Sequence, residues 1–87
     1  MNTVLYRVSN KTDPKQLATS IIYSIESGNI VKVGCIGESA KVLMKALGMI
    51  TVFGKDFYFK PDLDSQKVGE DGKFQTIMVC YVSNSKI

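Results

Sequence analysis

The chain has 87 residues, of which 45% are hydrophobic and 22% are charged, and its formal net charge is +3. This length predicts one small domain over residues 1–87, and the apolar fraction excludes a disordered chain, because disordered segments lack the apolar surface that offsets the entropy of ordering. No apolar run approaches the ~20 residues that cross a bilayer, and the N-terminus lacks the apolar region of a signal peptide, so we expect a soluble, cytoplasmic protein with no membrane partner.

The N-terminal third predicts a strand followed by a helix. In residues 3–9, apolar residues recur at every second position, at Val4, Tyr6 and Val8. This alternation is typical of a strand with one buried face. Asp13 fits an N-cap, Pro14 fits the first helical position, and Gly28 fits a left-handed C-terminal stop. The helix between them carries one apolar stripe, made up of Leu17, Ala18, Ile21, Ile22 and Ile25.

The middle third predicts a second strand and a second helix. Residues 30–36 are apolar on both alternating faces except at Lys32 and Gly34, which is typical of an interior strand. A helix is predicted to begin near Glu38, and its end is left open because Gly48 costs ~1 kcal/mol inside a helix. The apolar residues at helical spacing in this segment are Ala40, Leu43, Met44, Leu47 and Ile50.

The C-terminal third predicts a hairpin. Residues 56–61 indicate a strand that Pro61 either ends or turns into an edge strand, and residues 74–83 form the longest strand-like run of the chain. Asp71-Gly72 between them favours a type I′ turn, because both central positions of that turn need a positive φ. Residues 83–87 are expected to fray.

The order β-α-β-α-β-β predicts the fold class. Right-handed crossovers place two helices on one face of a four-stranded mixed sheet, in a two-layer α+β domain. The other face must then be polar or covered by a partner. Because the last strand is apolar at both alternating positions, we expect a second copy of the chain to cover some of the far face, in a homodimer or a homotetramer.

The missing residue types argue against enzymatic chemistry. The chain has no histidine, which excludes nucleophilic triads of the Ser-His and Cys-His kind. Cys35 and Cys80 lie in apolar strand-like runs, so we interpret them as reduced core residues and expect no metal site. We assign the acidic residues of the hairpin to solubility and turn formation, since they lack the spacing of a calcium loop. We therefore predict a protein that is not an enzyme and has no cofactor.

The glycine pair in VGCIGES matches no nucleotide-binding motif. It lacks the third glycine of a dinucleotide fingerprint and the GK[ST] ending of a P-loop, and the GXXG loop of a KH domain joins two helices rather than a strand to a helix. Gly37 instead ends the second strand and opens the second helix, whose free N–H groups form a weak anion site. Glu38 in the first turn competes with any phosphate there.

Basic residues are expected at one edge of the sheet. Residues 1–60 hold eight Lys and Arg against four Asp and Glu, whereas residues 61–87 hold three against four. If the first two strands are parallel, both helix N-termini share one sheet edge, and Lys11, Lys15 and Lys41 converge there. Such a cluster permits a phosphate-bearing partner, and the alternative is three separately solvated lysines.

Three segments, in this order, closely resemble the stage V sporulation protein S family: RVSNKTDPKQLATSII, the strand-to-helix turn CIGESA and the hairpin DGKFQT. The resemblance covers about residues 4–82. It implies a β-α-β-α-β-β domain with an Alba-like fold, dimeric or higher and related to Alba chromatin proteins. It also implies nucleic-acid binding and the regulation of spore development.

The resemblance further implies which residues bind. In Alba-like proteins the lysine-rich loop after the first strand contacts the phosphate backbone, and the turn before the second helix is also a binding element. The residues expected to bind DNA or RNA are therefore Lys11, Lys15, Gly37, Ser39, Lys41 and Lys45. The hairpin carries four acids against two lysines in residues 61–73, so we expect DNA to repel this arm.

Two other functions fit the same residues. The chain could be a protein-interaction module whose apolar far sheet face and acidic hairpin recruit another protein. It could also be a small-ligand binder at the shared helix N-termini, in which case an anionic metabolite stabilises it against heat.

Overall fold

The computed structural model describes residues 2–68 and 72–85, and within these ranges it describes all side chains except those of residues 64–68 and 73–75. The elements in chain order are β1 (Thr3–Val8), α1 (Pro14–Glu26), β2 (Ile30–Ile36), α2 (Ala40–Val52), β3 (Tyr58–Val68) and β4 (Lys73–Ser83). A single turn of 3₁₀-helix, Gly37–Ser39, leads into α2. This order confirms the predicted α+β fold class.

The four strands form one mixed sheet in the order β1-β2-β4-β3. β1 and β2 are parallel, while β4 runs antiparallel to both of its neighbours, β2 and β3. The core lies between this sheet and the two helices, since alternate residues of β2 and β4 are buried with one stripe from each helix. The fully buried side chains of largest volume are Ile21, Ile25, Leu43, Ile50, Val31, Val33, Val82 and Cys80.

α1 begins and ends as its sequence signals predict. The Asp13 carboxylate accepts a hydrogen bond from the backbone N–H of Lys15 at 3.0 Å, which satisfies one of the free N–H groups of the first turn. Pro14 occupies the first helical position. Gly28 has φ +84°, a conformation that ends the helix without the steric cost a side chain would bring.

Asp13→Ala is expected to lower the free energy of unfolding by about 1 kcal/mol, because it removes the side-chain acceptor at the N-cap. Urea denaturation followed by circular dichroism measures this loss. Asp13→Asn is the matched control, since it keeps an acceptor oxygen and should retain most of the stability. Equal stability of Asp13→Ala and the unsubstituted protein would contradict the role of the cap.

α2 differs from its prediction in two respects. Its α-helical turns begin at Ala40 rather than near Glu38, because the preceding residues form the 3₁₀ turn. Met44 was expected in the core, yet its side chain is 74% exposed, and Ala46 is buried instead. The buried stripe of α2 is Leu43, Ala46 and Ile50, at spacings of three and four residues, and Met44 lies outside this stripe at about 100° from Leu43.

Pro61 was predicted either to end its strand or to mark an edge strand, and the structure shows the second. β3 continues past Pro61 to Val68 and is an edge strand, where a residue without an N–H group is tolerated. The predicted turn residue Asp71 lies outside the described residues, while Gly72 has φ +69°. β4 includes Ser83, which is buried, so the sheet extends one residue into the segment that was expected to fray.

β3 and β4 reach beyond the rest of the sheet. β2 pairs with β4 only from Val31↔Val82 to Ile36↔Ile77, whereas the β3–β4 pairing continues as far as Val68↔Lys73. Residues 65–68 and 73–76 therefore form a two-stranded arm. The arm leaves the sheet at the end where β2 finishes, because Ile77 is the partner of Ile36.

Candidate nucleic-acid interface

Three connecting segments meet at one edge of the sheet. β1 and β2 are parallel and in register up to Val8↔Cys35, so both strands end at the same edge. The loop of residues 9–13 follows β1 there, and the 3₁₀ turn follows β2. The two-stranded arm projects from this edge as well. We call this region, at the carboxyl ends of β1 and β2, the sheet edge. It is not the lateral edge of the sheet that β3 forms.

The loop after β1 is held in shape by its own polar groups. The backbone N–H of Ser9 donates to Thr12 Oγ1 at 3.0 Å, and the backbone N–H of Thr12 donates back to the Ser9 carbonyl at 3.1 Å. The Ser9 hydroxyl oxygen accepts from the backbone N–H of Lys11 at 3.2 Å. These bonds fix the backbone from which the exposed side chain of Lys11 projects.

Ser39 holds the turn after β2. Its side chain is only 5% exposed, and its hydroxyl accepts from the Ile36 N–H at 2.9 Å and donates to the Ile36 carbonyl at 2.8 Å. The single hydroxyl proton is therefore used inside the turn, which assigns Ser39 a positioning role. Gly37 has φ +57°, and both Gly37 and Glu38 are exposed at the surface of the turn.

Arg7 links two open depressions at the sheet edge. The first, of about 490 Å³, is lined by Arg7, Val8, Ser9, Asn10, Gly34, Cys35, Ile36, Ser39 and Ile77. The second, of about 330 Å³, lies between β1 and α1 and is lined by Tyr6, Arg7, Lys11, Thr12, Asp13, Gln16, Leu17 and Ser20. Arg7 and Lys11 therefore border the same concave surface.

The predicted lysines are only partly gathered at this surface. Lys15 borders a neighbouring depression that shares Asp13, Gln16 and Ser20 with the one beside Lys11. Lys41 and Lys45 are exposed on α2 and line none of these three depressions. Lys11 and Lys15 thus border adjoining depressions around the start of α1, whereas Lys41 and Lys45 border neither of them.

Sequence reasoning missed Arg7 and Asn10. Arg7 occupies the second-last position of β1, on the face away from the helices, and Asn10 follows in the loop. The available signal was that Arg7 is the one charged residue in an otherwise uncharged strand, two residues before the segment Ser9-Asn10-Lys11. A guanidinium is well suited to bind phosphate, because it donates paired hydrogen bonds in a fixed plane.

The two cysteines are free and buried, as predicted for core residues. Burial raises the pKa of both thiols, and that of Cys80 reaches about 11 because Cys35 lies nearby as well. Thiols with raised pKa values are poor nucleophiles and poor metal ligands at neutral pH. Among the residues whose side chains the structure describes, no three His, Cys, Asp or Glu come together as a metal-binding group.

An apolar groove lies on the helix side of the sheet, between α2 and the last two strands. It has a volume of about 240 Å³ and is lined by Ala40, Leu43, Met44, Leu47, Phe59, Met78 and Cys80. Leu63 extends it along β3, since it pairs with Met78 in the strand register. Met44, Phe59 and Leu63 are 74%, 52% and 66% exposed, because the helices leave the edge strand uncovered.

Exposed apolar residues lie on both faces of the sheet. A partner was expected to cover the far face, which carries charged side chains from three strands beside the half-exposed Leu5 and Ile36. The groove on the helix side is instead the more uniformly apolar surface. Its position follows from β3 lying at the edge, which sequence periodicity does not specify.

The sheet order, the two helices on one face and the projecting hairpin arm define an Alba-like α+β domain. Among solved structures, the chain is similar to Alba from Thermoplasma volcanium, with a TM-score of 0.64 and 12% sequence identity over 94% of this chain and 99% of that chain. No protein-family model matches the chain, and no curated protein matches it. The similarity to Alba therefore establishes the fold.

Neither helix in the described part of the chain has the length and apolarity needed to cross a membrane.

Proposed function

We propose that this protein is a non-enzymatic, Alba-like nucleic-acid-binding protein that holds the phosphate backbone at the sheet edge. The observation that carries the proposal is the concave surface shared by Arg7 and Lys11, beside the loop after β1. The Alba-like fold supports it, since a solved structure with a similar fold is an Alba protein. Binding of this kind depends mainly on charge and reads little base sequence.

The predicted residues have different roles in this proposal. Lys11 and Lys15 contact phosphates directly, together with Arg7. The exposed turn at Gly37 allows close approach of a backbone, and Ser39 holds that turn in place. The other two predicted lysines, Lys41 and Lys45, are solvent-exposed on α2 and contact phosphates further along a bound nucleic acid.

The apolar groove is proposed to be the contact between two copies of the chain. A homodimer buries Met44, Phe59 and Leu63, and the lining of the groove has no charged side chain that such burial would leave unpaired. Self-association also compensates for the small core of an 87-residue chain. Pairs of dimers would give the homotetramer.

Membership of the stage V sporulation protein S family is part of the proposal. It rests on the three sequence segments described above and on the agreement between the fold they imply and the Alba-like structure. It adds a cytoplasmic regulatory role in sporulation, which expression of the gene during spore formation and the phenotype of a deletion strain test directly.

The sheet edge is tested by the double variant Lys11→Ala/Lys15→Ala. Fluorescence anisotropy with labelled duplex DNA, measured at several salt concentrations, gives the slope of log K against log salt. Each lost phosphate contact lowers the magnitude of this slope by about 0.9, so we expect a decrease of about 1.8.

Lys55→Ala is the control for the loss of a lysine. Lys55 follows α2, and its ammonium pairs with the Glu26 carboxylate at 2.7 Å, at the opposite end of the helices. Its replacement by alanine should therefore leave the slope unchanged. An unchanged slope in the double variant would contradict the proposed site. Absence of binding to duplex DNA and to single-stranded RNA at low salt would reject nucleic-acid binding altogether.

A second candidate is a protein-interaction module, favoured by the exposed apolar groove and by the acidic residues of the hairpin. This function predicts a stoichiometric protein partner that still co-purifies after nuclease treatment. Loss of the partner on nuclease treatment would instead favour nucleic-acid binding.

A further inference from the structure

The sheet face that turns away from the helices carries a row of side chains that crosses all four strands. Leu5 of β1 pairs with Lys32 of β2, Lys32 pairs with Tyr81 of β4, and Tyr81 pairs with Lys60 of β3. Paired residues share a face, so the Tyr81 ring lies between two lysines on one side of the sheet. Adjacent strands lie about 4.8 Å apart, which puts the two lysine backbones about 10 Å from one another.

A second tyrosine lies diagonally beside this row. Tyr58 of β3 is two residues before Lys60 and is half exposed. Residues in such diagonal positions are about 7–8 Å apart, within reach of aromatic side chains. Next to Tyr81 there is also an open depression of about 610 Å³, lined by Ile30, Lys60, Pro61, Asp62 and Tyr81. The face thus combines two aromatic rings, flanking lysines and space beside one ring.

We propose that this open sheet face binds single-stranded RNA, with bases stacked on Tyr81 and Tyr58 and phosphates held by Lys32 and Lys60. Stacking on aromatic side chains along a basic surface is the usual way in which sheets bind unpaired strands, since every base has a π-face. A duplex hides the faces of its bases, so it gains nothing from these rings. The row of Lys32, Tyr81 and Lys60 therefore offers unpaired bases a surface that the sheet edge, which binds backbone, does not provide.

The charges of the face support an anionic partner. In the part of the face whose side chains are described, Arg7, Lys32 and Lys60 are basic and Asp62 is acidic. Gly34 lies between Arg7 and Val79 across the sheet. A Cβ at Gly34 would meet no atom within 4 Å, so the centre of the face is open to an approaching nucleic-acid strand.

Asp62 favours RNA over DNA. A carboxylate accepts hydrogen bonds and repels phosphate, so it needs a donor from the bound strand. The ribose 2′-hydroxyl supplies such a donor, and deoxyribose does not. Because Asp62 lines the depression beside Tyr81, a ribose of a stacked nucleotide is the group that would meet it.

Lys32 has to move when a base stacks. Its ammonium lies 5.9 Å from the centre of the Tyr81 ring, in a cation–π contact. A cation–π contact between two partly exposed side chains contributes less than the stacking of a base on an aromatic ring. A bound base therefore displaces the ammonium, which is then free to pair with the adjacent phosphate.

The test is the affinity of a labelled oligouridylate of about eight nucleotides, a length within the range of single-strand sites, measured by fluorescence anisotropy. Tyr81→Leu is expected to weaken binding by about 5- to 150-fold, the range that loss of one base stack gives, whereas Tyr81→Phe should bind nearly as well as the unsubstituted protein. Tyr23→Leu is the matched control, since Tyr23 is an exposed tyrosine on α1.

Two further variants keep the test valid if Tyr81→Leu fails to fold. Tyr58 and Lys60 are exposed, so Tyr58→Leu and Lys60→Ala should fold and should each weaken binding of the oligouridylate. Duplex DNA affinity should change little in Tyr58→Leu, which separates this surface from the sheet edge. Tighter binding of oligouridylate than of the corresponding single-stranded DNA is expected, and Asp62→Asn should reduce that preference.

Three results would overturn the proposal. One is equal oligouridylate affinity in Tyr81→Leu, Tyr58→Leu and the unsubstituted protein. Another is a change of oligomeric state in these variants without a change in RNA affinity, which would make this face a contact between copies of the chain. The third is equal affinity for the single-stranded DNA, which would remove the assignment to RNA. Loss of duplex binding alone, as in Lys11→Ala/Lys15→Ala, would leave the proposal standing.

Discussion

Met44→Glu is expected to convert the proposed dimer into monomers. Met44 is 74% exposed at the mouth of the apolar groove, where a second copy of the chain would cover it. In a two-fold symmetric dimer the substitution introduces two carboxylates into one interface, and like charges there cost several kcal/mol. The dissociation constant should therefore rise by at least about 100-fold. Analytical ultracentrifugation over a range of protein concentrations measures this change.

Tyr23→Glu provides the matched control for this experiment. Tyr23 is 75% exposed, nearly the same fraction as Met44, but it lies on α1 and outside the groove. It should leave the association of the chains unchanged. Equal dissociation constants for Met44→Glu and the unsubstituted protein would place the interface elsewhere, and the half-exposed Leu5 and Ile36 on the open face would then be the next residues to substitute.

Ile21→Ala is expected to lower the free energy of unfolding by about 2–5 kcal/mol, because it removes buried methyl and methylene groups and leaves a cavity. Ile21 is fully buried at the centre of the α1 stripe. Domains of this size have a total stability of about 5–15 kcal/mol, so the loss is a large part of the whole. Urea denaturation at one fixed protein concentration gives the value, since association makes stability depend on concentration.

Ile22→Ala separates burial from residue type in the same helix. Ile22 is the neighbouring isoleucine and is only partly buried against the core. Its replacement should cost clearly less than that of Ile21. Equal losses for the two variants would mean that α1 packs differently on the sheet, or that the effect arises from helix propensity, which the two substitutions share.

The elements that were predicted correctly, α1, β1 and β2, are those whose bounds depend on nearby residues. Asp13, Pro14 and Gly28 act on backbone groups within a few residues, so the bounds of α1 could be read from the chain. The alternation in β1 and the apolar run of β2 also predicted one-sided and interior strands correctly. The lysines around the start of α1 were found because Lys11 and Lys15 flank its N-cap.

The same reasoning failed where the outcome depends on distant contacts. Met44 and Ala46 both fit a helical apolar pattern, and which of them is buried depends on how α2 is rotated against the sheet. Ser39 was predicted to bind nucleic acid, but its hydroxyl bonds to Ile36, and these bonds form only when the three-residue turn closes. Arg7 gained its place beside Lys11 from the path of the loop after β1.

By itself, the sequence determined the order of the elements, the bounds of α1 and the α+β class, because periodicity, caps and turn residues act over short distances. The tertiary structure alone decided that β3 lies at the edge, that the groove beside Met44 stays uncovered, and that Tyr81 lies between Lys32 and Lys60. These three facts depend on strand order and register, which pair residues about 20 to 50 positions apart in the chain.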